Sequence, residues 1–269
     1  MALPAPSPDR TAVVTGASSG IGTEIARDLA RRGHRVTLVA RSADKLADLA
    51  DEITASGGAA DVLAADLTDR ATRADLHGRV TDLGTTPEIL VNNAGLSTLG
   101  PVAGADPEAE TAMVELDVVA VTDLCTRFLP GMVDRGHGAV LNVASTAAFQ
   151  PLPGQAAYAA GKAFVLSYTH SLVGELRGTG VTATALCPGP VKTGFGRTAG
   201  FTEEQEDKAL PAIMWVSAED VARAAVEGLG KGDAVVIPGL ANRVAATFAQ
   251  VTPRSLLVPI LAKQHPGLH

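Results

Sequence analysis

Short apolar runs alternate with longer segments of helical period from residue 11 to about residue 238, and this alternation most limits how the chain can fold. Apolar runs bounded by Gly, Asn or Asp read as buried strands, and apolar residues recurring every three to four positions read as the helices that cover them. Strands are predicted at Ala12–Thr15, Arg35–Val39, Ala60–Ala64, Ile89–Asn92, Ala139–Val143, Thr182–Leu186 and Ala234–Ile237. Helices are predicted at Ile21–Arg32, Ala43–Ser56, Arg70–Leu83, Glu108–Asp134, Tyr158–Arg177 and Ala218–Leu229, with Ser42 and Ser217 at N-cap positions. Alternating β and α elements give a parallel sheet with helices on both faces. No Pro/Ser-rich linker or internal repeat interrupts them, so the expectation for residues 11–238 is one doubly wound α/β domain of about seven strands. Right-handed crossovers then put every strand C-terminus on one edge, where ligands bind.

The chain has 269 residues, enough for a sizeable single core. It is 46% hydrophobic but only 3% aromatic, so that core must be built mainly from Ala, Val, Leu and Ile, which suits buried parallel strands. A net charge of −7 leaves no basic excess for nucleic acid. Cys125 and Cys187 stand far apart with no CxxC or His-rich spacing, and they read as reduced packing thiols, with no metal expected. Residues 1–10 are Pro-rich and read as a disordered tail; they resemble neither a signal peptide nor an anchor. No run approaches the ~18 apolar residues of a membrane span. The expected location is the cytoplasm.

Between the first strand and the first helix, Thr15 to Gly22 reads Thr-Gly-Ala-Ser-Ser-Gly-Ile-Gly. Gly16, Gly20 and Gly22 let backbone amides approach a pyrophosphate, and the helix N-terminus supplies positive potential. Alone, this turn also reads as a ligand-free connection, because its spacing departs from GxGxxG. It is followed by Asn92-Asn93-Ala94-Gly95, Ser145, Tyr158-x-x-x-Lys162 and Pro188-Gly189. In this order and approximate spacing the set resembles the short-chain dehydrogenase/reductase family over roughly residues 11–238. The resemblance implies a Rossmann fold and a nicotinamide cofactor. It places Gly16, Ser18, Ser19, Gly20, Ile21 and Gly22 at the phosphates, Asp66 and Leu67 beside the adenine, and Asn92, Asn93, Ala94 and Gly95 along the central region. Tyr158, Lys162, Pro188, Gly189, Val191 and Thr193 complete the implied cofactor set. A homodimer or homotetramer assembled through the long helices is implied as well.

After the second predicted strand, an NAD site usually presents Asp or Glu to the ribose hydroxyls. Here the sequence is Val39-Ala40-Arg41-Ser42. The Arg41 guanidinium can pair with a 2′-phosphate and stack on adenine, and Ser42 can donate to the same phosphate, so NADP(H) is expected. The plainer reading makes Arg41 a solvated charge beside Asp44.

Tyr158 and Lys162 stand four residues apart on one predicted helix face. A free Tyr titrates near ~10, and lowering it by about 3 units takes roughly 4 kcal/mol of preference for the phenolate. Lys162 and a positive nicotinamide are expected to supply that together. Ser145, just past a buried strand, is placed to hydrogen-bond a substrate oxygen. Singly these read as a packed ring, a surface charge and a strand-end turn; together they read as a general acid/base, its cationic partner and an orienting hydroxyl. The resemblance implies that Lys162 also holds the cofactor ribose. Where the family carries Asn in a Leu-Asn-Val-like patch, this chain has Leu116-Asp117-Val118. Asp117 is therefore a candidate fourth member: the resemblance implies a main-chain role in holding a water of a proton relay, which Asp117 would keep, whereas a buried carboxylate is expected either to raise its own pKa or to pair with a cation such as Lys162.

Leu96, Phe149, Gln155, Phe195, Met214 and Trp215 are the candidate substrate residues. They are mostly apolar, and no Arg cluster marks an anion clamp, so the expected substrate is a mostly hydrophobic ketone or 3-oxoacyl-type carbonyl, or the matching alcohol. Residues 192–215 are irregular and Gly-containing and read as a substrate lid. The segment 239–269 reads as a helical extension of the same domain. Its residues 241–261 have helical spacing broken at Pro253 and Pro259, with Val244, Phe248, Val251, Leu256, Leu257 and Ile260 toward a partner on one side. Packing on its own domain or on a twin subunit is expected, since Arg243, Arg254 and Lys263 are sparse for a membrane contact. The competing function is a catalytically silent NADP(H)-binding sensor, which would need no proton donor. A scaffold role would leave the glycine turn unexplained.

Overall fold

The computed structural model describes residues 3–202 and 211–268. Its strands are β1 (Arg10–Thr15), β2 (Arg35–Ala40), β3 (Ala60–Ala64), β4 (Thr86–Asn92), β5 (Gly138–Val143), β6 (Val181–Leu186) and β7 (Val235–Val236). They form one sheet in the order β3-β2-β1-β4-β5-β6-β7, with every neighbouring pair parallel. This is the doubly wound Rossmann arrangement with the predicted seven strands. The strand order reverses between β1 and β4, so Thr15 and Asn92 at their C-terminal ends flank the crevice that such a reversal opens.

Both faces of the sheet are apolar because both are covered. From β1, Ala12 and Val14 join one core with Ile25 and Leu29 of α1 (Gly20–Arg31), Leu46 of α2 (Ala43–Ala55) and Val221 of α8 (Ala218–Lys231). Val13 between them points to the opposite core, with Leu76 of α3 (Arg70–Asp82), Phe128 of α5 (Ala120–Arg135) and Val165 of α6 (Ala156–Glu175). Phe128 is fully buried, and side chains of this size contribute about 1.5–3 kcal/mol each on burial. Cys125 and Cys187 are unpaired and buried, and burial pushes both thiols up to about 12.

The largest local departure from expectation lies in the predicted helix Glu108–Asp134. It is built as α4 (Pro107–Val114), a π-turn over Glu115–Val119, and α5, with right-handed helical backbone continuing through both junctions. A π-turn adds a residue to one turn of an α-helix, and such turns concentrate at functional sites. Here the widened turn carries Asp117, which is 1% exposed. Ser217 caps α8 by accepting from the Asp220 amide. Ser42 occupies the N-cap position of α2, but its side chain makes no capping hydrogen bond.

At the chain ends, the tail expected to be disordered is placed from Leu3 onward. Leu3 packs on the core beside Gly230, and Pro6 lies against Gly33, because these apolar side chains fit between α1 and α8. The C-terminal segment forms α9 (Leu240–Val251) and α10 (Arg254–Gln264). It breaks at Pro253 as expected, but Pro259 lies inside α10; on an exposed helix the carbonyl left without a partner can turn to water. Leu257 is buried on its own domain, whereas Val244, Phe248, Val251, Leu256 and Ile260 are exposed. Of the proposed lid, residues 195–199 form the short helix α7 and 212–214 a 3₁₀ turn; residues 203–210 lie outside the described residues. Among the described residues no helix is long and apolar enough to cross a membrane.

Candidate active site

The glycine turn sits at the C-terminal end of β1 and is too tightly enclosed for side chains. Gly16 and Gly20 have φ of 66° and 60°, in the left-handed region that favours glycine. A Cβ on Gly16 would lie 2.8 Å from Ala94 Cα, one on Gly20 2.8 Å from Thr193 Cβ, and one on Gly22 would overlap the Gly16 carbonyl and the Asn93 side chain. Asn93 donates from Nδ2 to the Thr15 and Gly16 carbonyls at 3.0 and 3.3 Å, and Thr15 Oγ1 accepts from the Asn93 and Ala94 amides at 2.9 and 3.1 Å. In this structure, then, Asn93, predicted to touch cofactor, clamps the turn from behind. Ser19 occupies the N-cap of α1 without a side-chain capping bond, and the first turn holds no acid. The leading amides of α1 are therefore left for an anion, which is the arrangement a pyrophosphate requires.

Ser18, Ser19, Gly20 and Thr193 also line a cavity of about 560 Å³, shared with Lys192, Arg197 and Trp215. The Lys192 ammonium lies 5.4 Å above the Trp215 ring. Trp215, predicted to contact substrate, thus lines the space over the glycine turn. Arg41 and Ser42 are exposed at the end of β2. Asp66 is held below the usual carboxylate range first by hydrogen bonds from Thr68, with the Arg41 guanidinium contributing. Leu67 is buried, and its carbonyl accepts from the fully buried Arg73 at 2.7 Å. The same guanidinium pairs with Glu115 of the π-turn. Sequence reasoning missed Arg73, because a cation in a helix gives no periodic sign of burial.

Asp117, Lys162, Tyr158 and Ser145 are brought together on the far side of the crevice. Lys162 Nζ lies 3.0 Å from Asp117 Oδ2, and the two side chains are 6% and 1% exposed. Nζ also donates to the Val143 carbonyl at 3.2 Å, and Asp117 Oδ1 accepts from the Leu96 amide at 2.8 Å. Asp117 Oδ2 meets no well-aligned hydrogen-bond donor, so the contact is an ion pair set off the hydrogen-bond angle. Gly95 permits this closeness, since a Cβ there would come within 3.2 Å of Asp117 Oδ1 and 3.3 Å of Lys162 Nζ. Of the two outcomes expected for the Asp117 carboxylate, pairing with Lys162 is the one found.

Desolvation is the largest influence on Lys162 and pushes its ammonium down, but the Asp117 carboxylate and the neighbouring Tyr158 outweigh it and hold the group above its ordinary value. Tyr158 is half-buried, its ring centroid 5.7 Å from Lys162 Nζ. Burial raises its phenol above the ordinary 10.0, against lowering by Lys162 and by a hydrogen bond with Ser145. The protein's own groups therefore supply only part of the expected lowering, which also called on a positive nicotinamide: Lys162 and Ser145 favour the phenolate, while desolvation and the like charge of Asp117 oppose it. Ser145 Oγ also accepts from the Ala147 amide at 3.1 Å, fixing it at the end of β5. The adjacent Thr146 amide donates to the Pro188 carbonyl at 2.9 Å, tying this loop to the Pro188-Gly189 stretch.

Among the candidate substrate residues, the Phe195 ring lies 6.1 Å from that of Tyr158. Phe149, by contrast, is buried in the core, because the 3₁₀ turn after Ser145 directs it inward. Gln155 is buried and bonded to Ser97 and to His265 near the C-terminus, a pairing 110 residues apart that no local pattern announces.

Fold and site together define an oxidoreductase built around a dinucleotide crevice. Residues 10–204 match the family model described as short chain dehydrogenase, and the chain belongs to that family. A short chain dehydrogenase of Pseudocercospora fijiensis is 40% identical over 190 residues, 70% of this chain; the chain spans 61% of that relative's length. A very-long-chain 3-oxoacyl-CoA reductase of Anas platyrhynchos is 33% identical over 226 residues, covering 81% of this chain and 68% of the relative. The solved structure of a short-chain dehydrogenase from Sphingobium yanoikuyae in complex with NADPH superposes with a TM-score of 0.79 at 34% identity, covering 93% of this chain and 95% of that one.

Proposed function

We propose that the chain is an NADP(H)-dependent reductase of hydrophobic ketones or 3-oxoacyl-type carbonyls, with Tyr158 as general acid. The observation that carries this reading is the grouping of Ser145, Tyr158 and a charged Lys162 across the crevice from the glycine turn. The residues present fit a dinucleotide. The turn excludes side chains, the α1 amides suit its pyrophosphate, Asp66 with Leu67 suits its adenine, and exposed Arg41 with Ser42 suits a 2′-phosphate. When bound, the dihydronicotinamide supplies a hydride to the carbonyl carbon.

The protein's own residues account for the proton. Burial keeps Tyr158 a neutral phenol, the form that can donate to the carbonyl oxygen as negative charge develops there. Ser145 is placed to hydrogen-bond that oxygen and polarise it. Lys162, kept cationic by Asp117, stabilises the phenolate left behind. Asp117 thus acts on the proton step through Lys162. The reductase name of the Anas platyrhynchos relative and the NADPH of the Sphingobium yanoikuyae neighbour support the substrate class and the cofactor. A homo-oligomer acting in the cytoplasm belongs to the same reading. It is supported by two unpaired buried cysteines and by Val114, Val119 and Phe164 exposed on the long helices.

The test is an NADPH-oxidation screen over ketones, aldehydes and 3-oxoacyl thioesters, run beside NADPH and NADH binding titrations. Turnover of an apolar ketone or thioester with preferred NADPH is expected. NADPH binding without turnover of any class would replace the enzyme with a nucleotide sensor.

A further inference from the structure

Three loops lead to the Tyr158 site: one begins at Leu96, whose amide is bonded to Asp117, one runs into the helix that carries Tyr158, and one carries Phe195 against the Tyr158 ring; the C-terminal segment touches all three. They are residues 96–100 after β4, residues 152–155 before α6, and residues 194–201, which carry Phe195. His265 is 8% exposed, and its Nε2 lies 3.1 Å from Gln155 Oε1. Gln155 Nε2 in turn donates to Ser97 Oγ at 2.7 Å. The ring also packs on Gly154, where any Cβ would collide with it, and meets Phe201 edge-on at 6.3 Å. Two residues on, Gly267 fits against Leu99, with room for no Cβ, which would stand 2.6 Å from Leu99 Cδ1. The Gly100 amide donates to the Gly154 carbonyl at 2.8 Å, so the first two loops are joined beneath the tail.

The hydrogen bonds run in one direction. The Gly267 amide can only donate, and it donates to His265 Nδ1 at 3.2 Å. The ring proton therefore resides on Nε2 and is given to Gln155 Oε1. That fixes the amide of Gln155, three residues ahead of Tyr158 in sequence, with its nitrogen toward Ser97. Every member of the series is uncharged in this arrangement, and desolvation is the one cause that holds His265 below its ordinary value.

We propose that residues 265–268 form a wall of the substrate site, and that His265 is a positioning residue which sets the Gln155–Ser97 pair and the loops beside Tyr158. This rests on carbonyl reduction at Tyr158, and it assigns substrate affinity to a segment beyond the α/β core. A wall built from the neutral His265–Gln155–Ser97 series with Leu99 and Phe201 brings no charge of its own and suits an uncharged, largely apolar carbonyl compound.

The experiment compares the full chain with one ending at Gln264, and with His265→Ala and His265→Gln, using NADPH and a 3-oxoacyl thioester or apolar ketone turned over by the full chain. The truncation and His265→Ala raise KM about tenfold, the worth of one or two neutral hydrogen bonds, while kcat and NADPH affinity stay within about twofold. His265→Gln, which restores an N–H toward Gln155, recovers most of the KM. An unchanged KM in the truncated chain overturns the proposal, as does an NADPH affinity that falls in parallel with KM. Amide hydrogen exchange tests the wall without any turnover, and so separates its failure from failure of the reductase reading. Residues 96–100 and 152–155 lose protection in the truncated chain while residues 11–22 keep theirs; equal protection in both chains overturns it.

Discussion

Replacing Asp117 with Asn keeps an oxygen that can accept from the Leu96 amide but removes the charge facing Lys162. The pair stands 3.0 Å apart with both side chains almost wholly buried. At that separation and an effective dielectric near 20, Coulomb's law gives roughly 5.5 kcal/mol of attraction. Breaking a buried pair on one side typically costs about 3–5 kcal/mol. Because the Leu96 and Val143 hydrogen bonds survive, the lower end applies, about 3 kcal/mol. For a chain of this length that corresponds to a fall of about 6–12 °C in Tm. The chemistry shifts too. Desolvation is the largest influence on Lys162, so without Asp117 the ammonium gives up its proton at lower pH and Tyr158 loses its cationic neighbour. The alkaline limb of kcat/KM therefore moves toward acid by about one unit or more, equivalent to at least about 1.4 kcal/mol. Calorimetry and a pH–rate profile of the Asp117→Asn and parent enzymes measure both effects. A Tm within about 2 °C of the parent together with an unmoved alkaline limb would refute the pairing argument.

Three further outcomes follow from particular contacts. Arg41→Ala raises KM for NADPH about tenfold and leaves that for NADH nearly unchanged, one exposed charge-assisted contact being worth about 1–1.5 kcal/mol; an unchanged NADPH/NADH ratio removes Arg41 from the cofactor site. Gly22→Ala places a Cβ against the Gly16 carbonyl and the Asn93 side chain, costing about 1–3 kcal/mol or more by overpacking. It is expected to abolish NADPH binding in a fluorescence titration, and a variant that binds normally contradicts the enclosure of the turn. Burial holds His34, His77 and His265 below their ordinary value of 6.5, with Arg32 and Arg135 adding to the effect on the first two. The unfolded chain therefore takes up protons that the fold resists once pH falls below 6.5, so these groups favour the fold fully above that value and oppose it increasingly below it. Their titration makes denaturant stability fall as pH drops from about 7 toward 5, and His265→Gln flattens part of that slope.

The α/β alternation was legible because parallel strands covered on both faces are continuous apolar runs, as Val36, Leu38 and Val39 of β2 show. The glycine turn, Ser145, Tyr158 and Lys162 were legible because their spacing carries chemistry that few other arrangements need. Other features were hidden for physical reasons. Asp117 was visible as a departure, but its inward position depends on a π-turn that an ideal 3.6-residue period does not contain. The spacing marked Asn93 for the cofactor but not for its hold on the turn, where its amide donates to the Thr15 and Gly16 carbonyls far away in sequence. Phe149 looked like a pocket wall, yet the 3₁₀ turn after Ser145 places it in the core. His265 reaches Gln155 only through the folding back of α9 and α10, a contact between distant parts of the chain.

The most direct measurement for the central claim is NADPH oxidation by the Tyr158→Phe enzyme beside its NADPH affinity. Loss of a positioned general acid typically costs 10²–10⁴-fold in rate. The phenyl ring preserves the packing against Phe195 and leaves the glycine turn, Arg41 and the Asp117–Lys162 pair in place. Unchanged NADPH binding and an unchanged Tm with turnover reduced at least about a hundredfold are predicted. Turnover equal to the parent, with the same substrate and cofactor, would contradict the assignment of the proton to Tyr158.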